Sequence, residues 1–290
     1  LICYISDHFH FNKLFIKMLL KSNEIIKEMI EKDNPFIVGR MSDNCTKLAV
    51  YKNKNYSLNC SIYDGIYFSN SDNINSYITE YNNSVKNLDF IASFNGLYKK
   101  EEDICFKKHP NIIKLFSRIL EPFYVCLENQ EPWSLKLYGK KILVISPFVK
   151  SFKRQLDAGF KFFKDKNIFH PEQEFVFYKS YQTSAGNHLH SSWLETFNLM
   201  KEDIRKLDFD FALLGCGGYG LPLCNFIKEE LGKSAVYVGG GLQLLFGVKG
   251  KRWINHPVIG KIIKENGKFI SPSGDEIMRN NHKIEGGCYW

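Results

Sequence analysis

The stretch Phe209-Asp210-Phe211-Ala212-Leu213-Leu214-Gly215-Cys216-Gly217-Gly218-Tyr219-Gly220-Leu221-Pro222-Leu223 decides the fold. Its apolar run up to Leu214 reads as a buried strand, and the glycines after it read as a tight turn. Beyond the turn, residues 221–231 carry apolar side chains at helical spacing, with Pro222 in the first turn, where a missing N–H leaves no hydrogen bond unmade. Strand, G-x-G-x-x-G turn and helix in that order form a phosphate-binding arrangement. Glycines let the main chain approach an anion, and the helix N-terminus offers it unpaired N–H groups and a partial positive charge. Gly215, Gly217, Gly218, Tyr219 and Gly220 are therefore candidate ligand contacts, a ligand-free glycine turn being the alternative.

The same alternation runs outward in both directions. Strands are predicted at 36–38, 89–93, 141–145, 174–178, 209–214 and 235–238, and helices at 11–32, 74–86, 111–120, 150–164, 192–206 and 221–231. This pattern predicts an α/β fold with a Rossmann-like, mostly parallel sheet and helices on both faces. No linker or internal repeat interrupts it, so residues 1–290 are expected to form a single domain, with an N-terminal helical segment at 1–34. Periodicity fades after Trp253, and 253–290 reads as an irregular C-terminal tail packed on the core.

Hydrophobic residues at 44% and charged residues at 24% exclude disorder and fibre. No apolar run approaches the roughly 20 residues of a membrane span. The opening Leu1-Ile2-Cys3-Tyr4 lacks the basic flank and cleavage site of a secretory signal, so a cytoplasmic location is expected. A net charge of +8 attracts anions, but the basic residues are dispersed in pairs such as Lys99-Lys100 and Lys140-Lys141, and nucleic acid is not an expected partner. Eight cysteines without a C-x-x-C pair argue against structural zinc and against a disulfide scaffold. They read as reduced core residues.

Three further segments carry candidate chemistry. Strand 235–238 runs into Gly239-Gly240-Gly241 with no carboxylate for a ribose, so NAD is not expected. Gly240 and Gly241, with the basic segment Lys249-Gly250-Lys251-Arg252-Trp253, suit a diphosphate: Arg252 as a fork, Lys249 and Lys251 as point charges, Trp253 as a stacking face. A surface basic turn is the alternative. The loop from Gln182 through Asn187, His188 and His190 to Trp193 reads as a site or acceptor loop, with a histidine as general acid or base, or equally as a capping loop. Arg40, Ser42 and Asp43 follow a buried strand directly. Arg40 can neutralise phosphate and Asp43 can hold Mg²⁺ or Mn²⁺, or Asp43 merely caps the helix that begins near Thr46.

The C-terminal half, with Gly215 to Leu223, Gly239 to Gly247 and Lys249 to Trp253, resembles a group of bacterial and large-virus proteins associated with glycan-synthesis loci. Gly139 to Ile145, Gln155, Trp193 and the ending Glu285-Gly286-Gly287-Cys288-Tyr289-Trp290 carry the same resemblance, which covers most of the chain from Pro35 onward. More distantly, the arrangement is similar to the GT-D class of glycosyltransferases, whose early Arg-aromatic-Gly-Asp-Gly-Glu segment holds a divalent metal and a nucleotide sugar. Arg40 and Asp43 fall in register with that segment, while its closing Glu is here Cys45. The acidic residues that the class carries after its last strand are here Gly241 and Leu242.

The resemblance implies a glycosyltransferase that moves a sugar from a nucleotide diphosphate sugar to a glycan or glycoprotein hydroxyl, in the host cytoplasm if the source is viral. Asp43 or His188 would be the catalytic base, and a divalent metal, Mn²⁺ or Mg²⁺, would sit on Asp43. Two alternatives stand beside it: a non-catalytic nucleotide- or glycan-binding protein of the same fold, and a Rossmann methyltransferase.

Overall fold

A computed structural model describes residues 13–94 and 99–290. Among the described residues seven strands form one parallel sheet: β1 (Ile37–Gly39), β2 (Phe90–Ser93), β3 (Ile113–Phe116), β4 (Ile142–Ser146), β5 (Phe175–Lys179), β6 (Phe211–Leu214) and β7 (Ser234–Tyr237), in the spatial order β3-β2-β1-β7-β6-β4-β5. Register is continuous across the middle, where Val38 sits opposite Val236, Val236 opposite Leu213, and Leu213 opposite Val144. These central strands are buried on both faces, which explains why their sequences are apolar throughout and do not alternate. The fold is α/β and Rossmann-like, and no helix among the described residues is long and apolar enough to cross a membrane.

Each face of the sheet carries its own core. On one, Leu19, Ile26 and Ile30 of the helix Lys13–Lys32 pack with Val38, Val144 and Leu213, and with an aromatic group that includes Phe152 and Phe246. On the other, the helices Asp43–Tyr51, Ser71–Lys86, Trp193–Arg205 and Gly220–Glu229 bury Leu48, Tyr77, Trp193 and Phe226 against Ile37, Ile145 and Leu214. Gly39 marks a close approach between layers: a Cβ there would lie 2.5 Å from Leu88 Cδ2 and 2.9 Å from Leu221 Cδ1.

Several expectations need correction. Residues 111–120 form strand β3 and a 3-10 turn, Ser117–Leu120, instead of a helix. Their apolar spacing fits either structure, and the β-branched pair Ile112-Ile113 after Pro110 resolves it toward an edge strand. The helix expected over 150–164 is Val149–Asp157, ended by Gly159 at φ +66°. A helix at Lys99–Lys108 was not anticipated.

The segment after Trp253 is partly regular, with a helix at Ile259–Asn266. Trp290 donates its indole N–H to Glu276 O at 2.8 Å, and Lys251 N donates to Trp290 O at 3.2 Å. Glu276 is buried and accepts from Ser151, so the tail is stitched to the helix that follows β4.

Candidate functional site

The chain moves from β1 outward to β2 and β3, crosses to β4, steps outward again to β5, and returns through β6 and β7 to lie beside β1. Connections therefore diverge beyond the carboxyl ends of β4 and β6, and again at β1 and β7. Such divergence opens a crevice at the carboxyl edge of a parallel sheet, where ligands bind.

A cleft of about 920 Å³, its open mouth included, lies there. Its floor comes from five strand ends: Arg40 and Ser42 after β1, Ser146 to Phe148 after β4, Tyr181 to Ser184 after β5, Gly215 to Gly217 after β6, and Gly239 and Gly240 after β7. Tyr63 and Asp64 close one side, and Met278, Ile284, Tyr289 and Trp290 of the tail close another. Aromatic rings from Tyr63, Tyr181, Tyr219, Tyr237, Tyr289 and Trp290 thus share the lining with few charges.

Arg40 is the cation of the cleft lining among the described residues. Its guanidinium lies 4.7 Å from the Phe94 ring centroid and 6.0 Å from that of Tyr237. A Cβ on Gly239 would come within 2.6 Å of Arg40 Nη1, so the second glycine turn is cut back to admit this side chain. Arg40 Nε has no hydrogen-bond partner among the described residues. Deeper in, burial pushes the Glu121 carboxyl up, with Arg118 and Arg40 opposing that shift. Glu121 fits against Gly241, where a Cβ would lie 2.4 Å from Oε1.

The first glycine turn is divided between cleft and core. Gly217 is exposed and Gly215 half-buried, and both line the cleft. Gly218 faces inward, where a Cβ would lie 2.4 Å from Ile66 Cδ1, and Gly220 receives the Tyr237 ring, whose Cε2 would be 2.1 Å from such a Cβ. Tyr237 donates to Gly217 O at 2.7 Å, and the Thr183 and Tyr219 hydroxyls meet at 3.0 Å, which fixes the turn's shape. The helix Gly220–Glu229 starts directly after this turn.

No protein-family model, curated protein or solved structure matches this chain. The assignment of a function rests on the geometry.

Of the sequence-derived candidates, the structure brings together Arg40, Ser42, Gly215, Gly217, Tyr219, Gly240 and Gln182. Gly218, Gly220 and Gly241 serve packing. Lys249, Lys251, Arg252 and Trp253 do not line the cleft. Arg252 is held by the tail, with Nη1 3.2 Å from Tyr289 Oη and Nη2 2.5 Å from a Glu285 carboxylate oxygen, while Trp253 is buried. Trp193 is also core, stacked on Phe197 and Tyr219. His188 is exposed and stacks on Tyr67 at 4.4 Å, and His190 Nδ1 lies 2.9 Å from Thr196 Oγ1; neither lines the cleft. Asn187 donates to Ser184 O and to Arg279 O, anchoring the tail. Asp43 begins the helix Asp43–Tyr51, and its side chain lies outside the described residues.

Cys45 is buried at 1% exposure on the core side of that helix. The donors around it are Cys60 and Asp64, so the hard oxygen set that Mg²⁺ or Mn²⁺ requires is not assembled at Cys45. Sequence reading missed Asp64, Tyr63, Tyr181, Tyr237, Tyr289 and Trp290 as lining residues. Only Gly65, at φ +77°, signalled that Tyr63-Asp64 precedes a sharp turn.

Proposed function

We propose that the cleft binds a nucleotide diphosphate sugar and that the protein is a glycosyltransferase of GT-D type, passing the sugar to a glycan or glycoprotein hydroxyl. The observation that carries this reading is the convergence of Arg40 with both glycine turns on one aromatic-lined cleft. Transfer breaks the anomeric C–O bond and leaves negative charge on the departing diphosphate. Arg40 and the N-terminus of the helix Gly220–Glu229 oppose that charge. Tyrosine and tryptophan faces suit the base and sugar. Asp43, which follows the cleft residue Ser42 in sequence, is the proposed base for the acceptor hydroxyl. The tail residues Tyr289 and Trp290 shield the reacting centre from water.

A panel of sugar nucleotides incubated with the protein, with release of nucleoside diphosphate as readout, tests the reading. Turnover with one donor supports it, and the absence of both release and thermal shift with every donor removes it. One observation favours the non-catalytic alternative: the position that closes the GT-D segment holds a buried thiol where the class has a carboxylate. Nucleotide binding without release in the same panel would select that alternative.

A further inference from the structure

We propose that Cys45, Cys60 and Asp64 form a three-ligand site for a thiophilic divalent cation, Zn²⁺ being the fitting ion, with its fourth coordination position open toward the cleft. The two sulfur atoms and a carboxylate oxygen all lie within 4.8 Å of one another, and this is the one such group of three among the described residues. A tetrahedral zinc with sulfur at about 2.3 Å and oxygen at about 2.0–2.2 Å places its ligands about 3.5–3.8 Å apart, so the atoms need contract by no more than about 1 Å.

The local fold holds two of these ligands in place. Cys60 and Asp64 stand at the two ends of a π-helical turn, Cys60–Asp64, whose wide pitch puts residues four apart on nearly the same face. That turn is closed by Ile66 N donating to Cys60 O at 3.1 Å, and Thr183 Oγ1 donates to Gly65 O at 2.7 Å. Cys45 approaches from the helix Asp43–Tyr51, in the first turn after the cleft residue Ser42. Both thiols are buried, at 1% and 0% exposure, while Asp64 reaches the cleft lining. An ion held there would therefore be walled by protein on the sulfur side and open on the side of Asp64 and Ser42. Three protein ligands with a fourth position left to water or substrate is the pattern of a catalytic zinc, whereas a structural one is closed by four.

Burial, with Cys60 and Asp64 close by, pushes the Cys45 thiol up, so its thiolate forms only when a bound cation supplies the balancing charge. The Tyr77 hydroxyl is buried beside Cys45 without a conventional hydrogen bond and is available to donate to its sulfur once that sulfur carries charge. Binding replaces two thiol protons with the ion, so two protons leave for solvent and no electron moves. Soft sulfur ligands select Zn²⁺ over Mg²⁺ and Mn²⁺, which inverts the metal preference that the GT-D resemblance implies.

The test uses the full chain, kept in reductant and stripped of metal, titrated with Zn²⁺ against a chromogenic chelator and separately with Co²⁺. The site predicts one ion per chain and a thiolate-to-cobalt charge-transfer band. Cys60→Ser should abolish that band, and Cys60→Ser or Asp64→Asn should weaken zinc by roughly 100-fold or more, since even outer partners of a metal site carry about 10–100-fold. Cys126→Ser, in the opposite core, should leave binding unchanged. Asp64→Asn conserves shape at a partly exposed position, so it reads the site even if the cysteine variant folds poorly. Equal zinc affinity in Asp64→Asn and the parent, or a Co²⁺ spectrum without the sulfur band, would overturn the proposal. The titration contains no nucleotide, so its failure leaves the sugar-transfer reading standing.

Discussion

Arg40, which follows Gly39, and Arg252, which follows Lys251, both look suited to a phosphate in sequence, yet the fold uses them oppositely. Arg40 leaves a buried strand at the carboxyl edge of the sheet and lines the cleft, set against aromatic faces and a glycine. Arg252 lies in a basic run but makes its contacts to Glu285, Cys288 and Tyr289, at the junction between the tail and the core. Where a charge sits relative to a strand end, and not how many charges surround it in the chain, decides whether it meets a ligand. A cation hydrogen-bonded to a carboxylate, as Arg252 is to Glu285, is a structural contact; one that lines an open cleft is placed to take an anion.

This contrast can be broken most forcefully at Gly250, the residue that lets the basic segment pack under the tail. A Cβ there would lie 2.4 Å from the Tyr289 carbonyl carbon and 2.5 Å from Cys288 O, both main-chain atoms that cannot rotate away. Gly250→Val should cost about 2–3 kcal/mol through overpacking, seen as a lower midpoint in urea. Because Tyr289 and Trp290 also line the cleft, nucleotide affinity should fall with it.

Arg40→Met should weaken nucleoside diphosphate binding by about 10–100-fold, the worth of a charge-assisted contact of roughly 1.5–3 kcal/mol. Calorimetry reads the loss, and the thermal midpoint should hardly move. Arg252→Met should do the reverse: a stability loss of about 1–2 kcal/mol, discounted because Glu285 is half exposed, with binding unchanged. If both variants lose affinity equally, the division between the two arginines is wrong.

The smallest effect concerns pH and the tail's outer edge. Hydrogen bonds from Lys150 and Lys179 hold the exposed Asp275 carboxyl down at about 2. A depressed folded-state value means its stabilisation is present above the ordinary carboxylate range and is lost as pH falls toward 2. The difference in stability between the parent and Asp275→Asn, followed by denaturant titration, should therefore be small and constant from neutral pH down to about 5, and vanish on further acidification. A difference that grows below pH 4 would contradict the assignment of this contact.

The sheet was legible because buried parallel strands are continuous apolar runs, and six of the seven were read within a few residues. The seventh, β3, lies at the sheet edge with Ile113 and Lys114 exposed, so its pattern could not be separated from that of a helix. Arg40 and the glycine turns were legible as strand-end chemistry. What the chain order concealed was convergence. Cys45, Cys60 and Asp64 have no metal-ligand spacing, and they meet only because a π-helical turn lies beside the helix after β1. Tyr289 and Trp290 reach the cleft through tail docking that no local periodicity encodes. Conversely, Gly218, Gly220 and Gly241 look like phosphate glycines in sequence but make room for Ile66, Tyr237 and Glu121.

The most direct measurement is a crystal structure of the protein soaked with a nucleoside diphosphate. The account predicts the diphosphate within hydrogen-bond distance of the Arg40 guanidinium and of main-chain N–H groups in the Gly215–Gly217 turn, with the base against the tyrosines of the cleft. Diphosphate density at Lys249, Lys251 and Arg252 instead, with the cleft filled only by water, would contradict it.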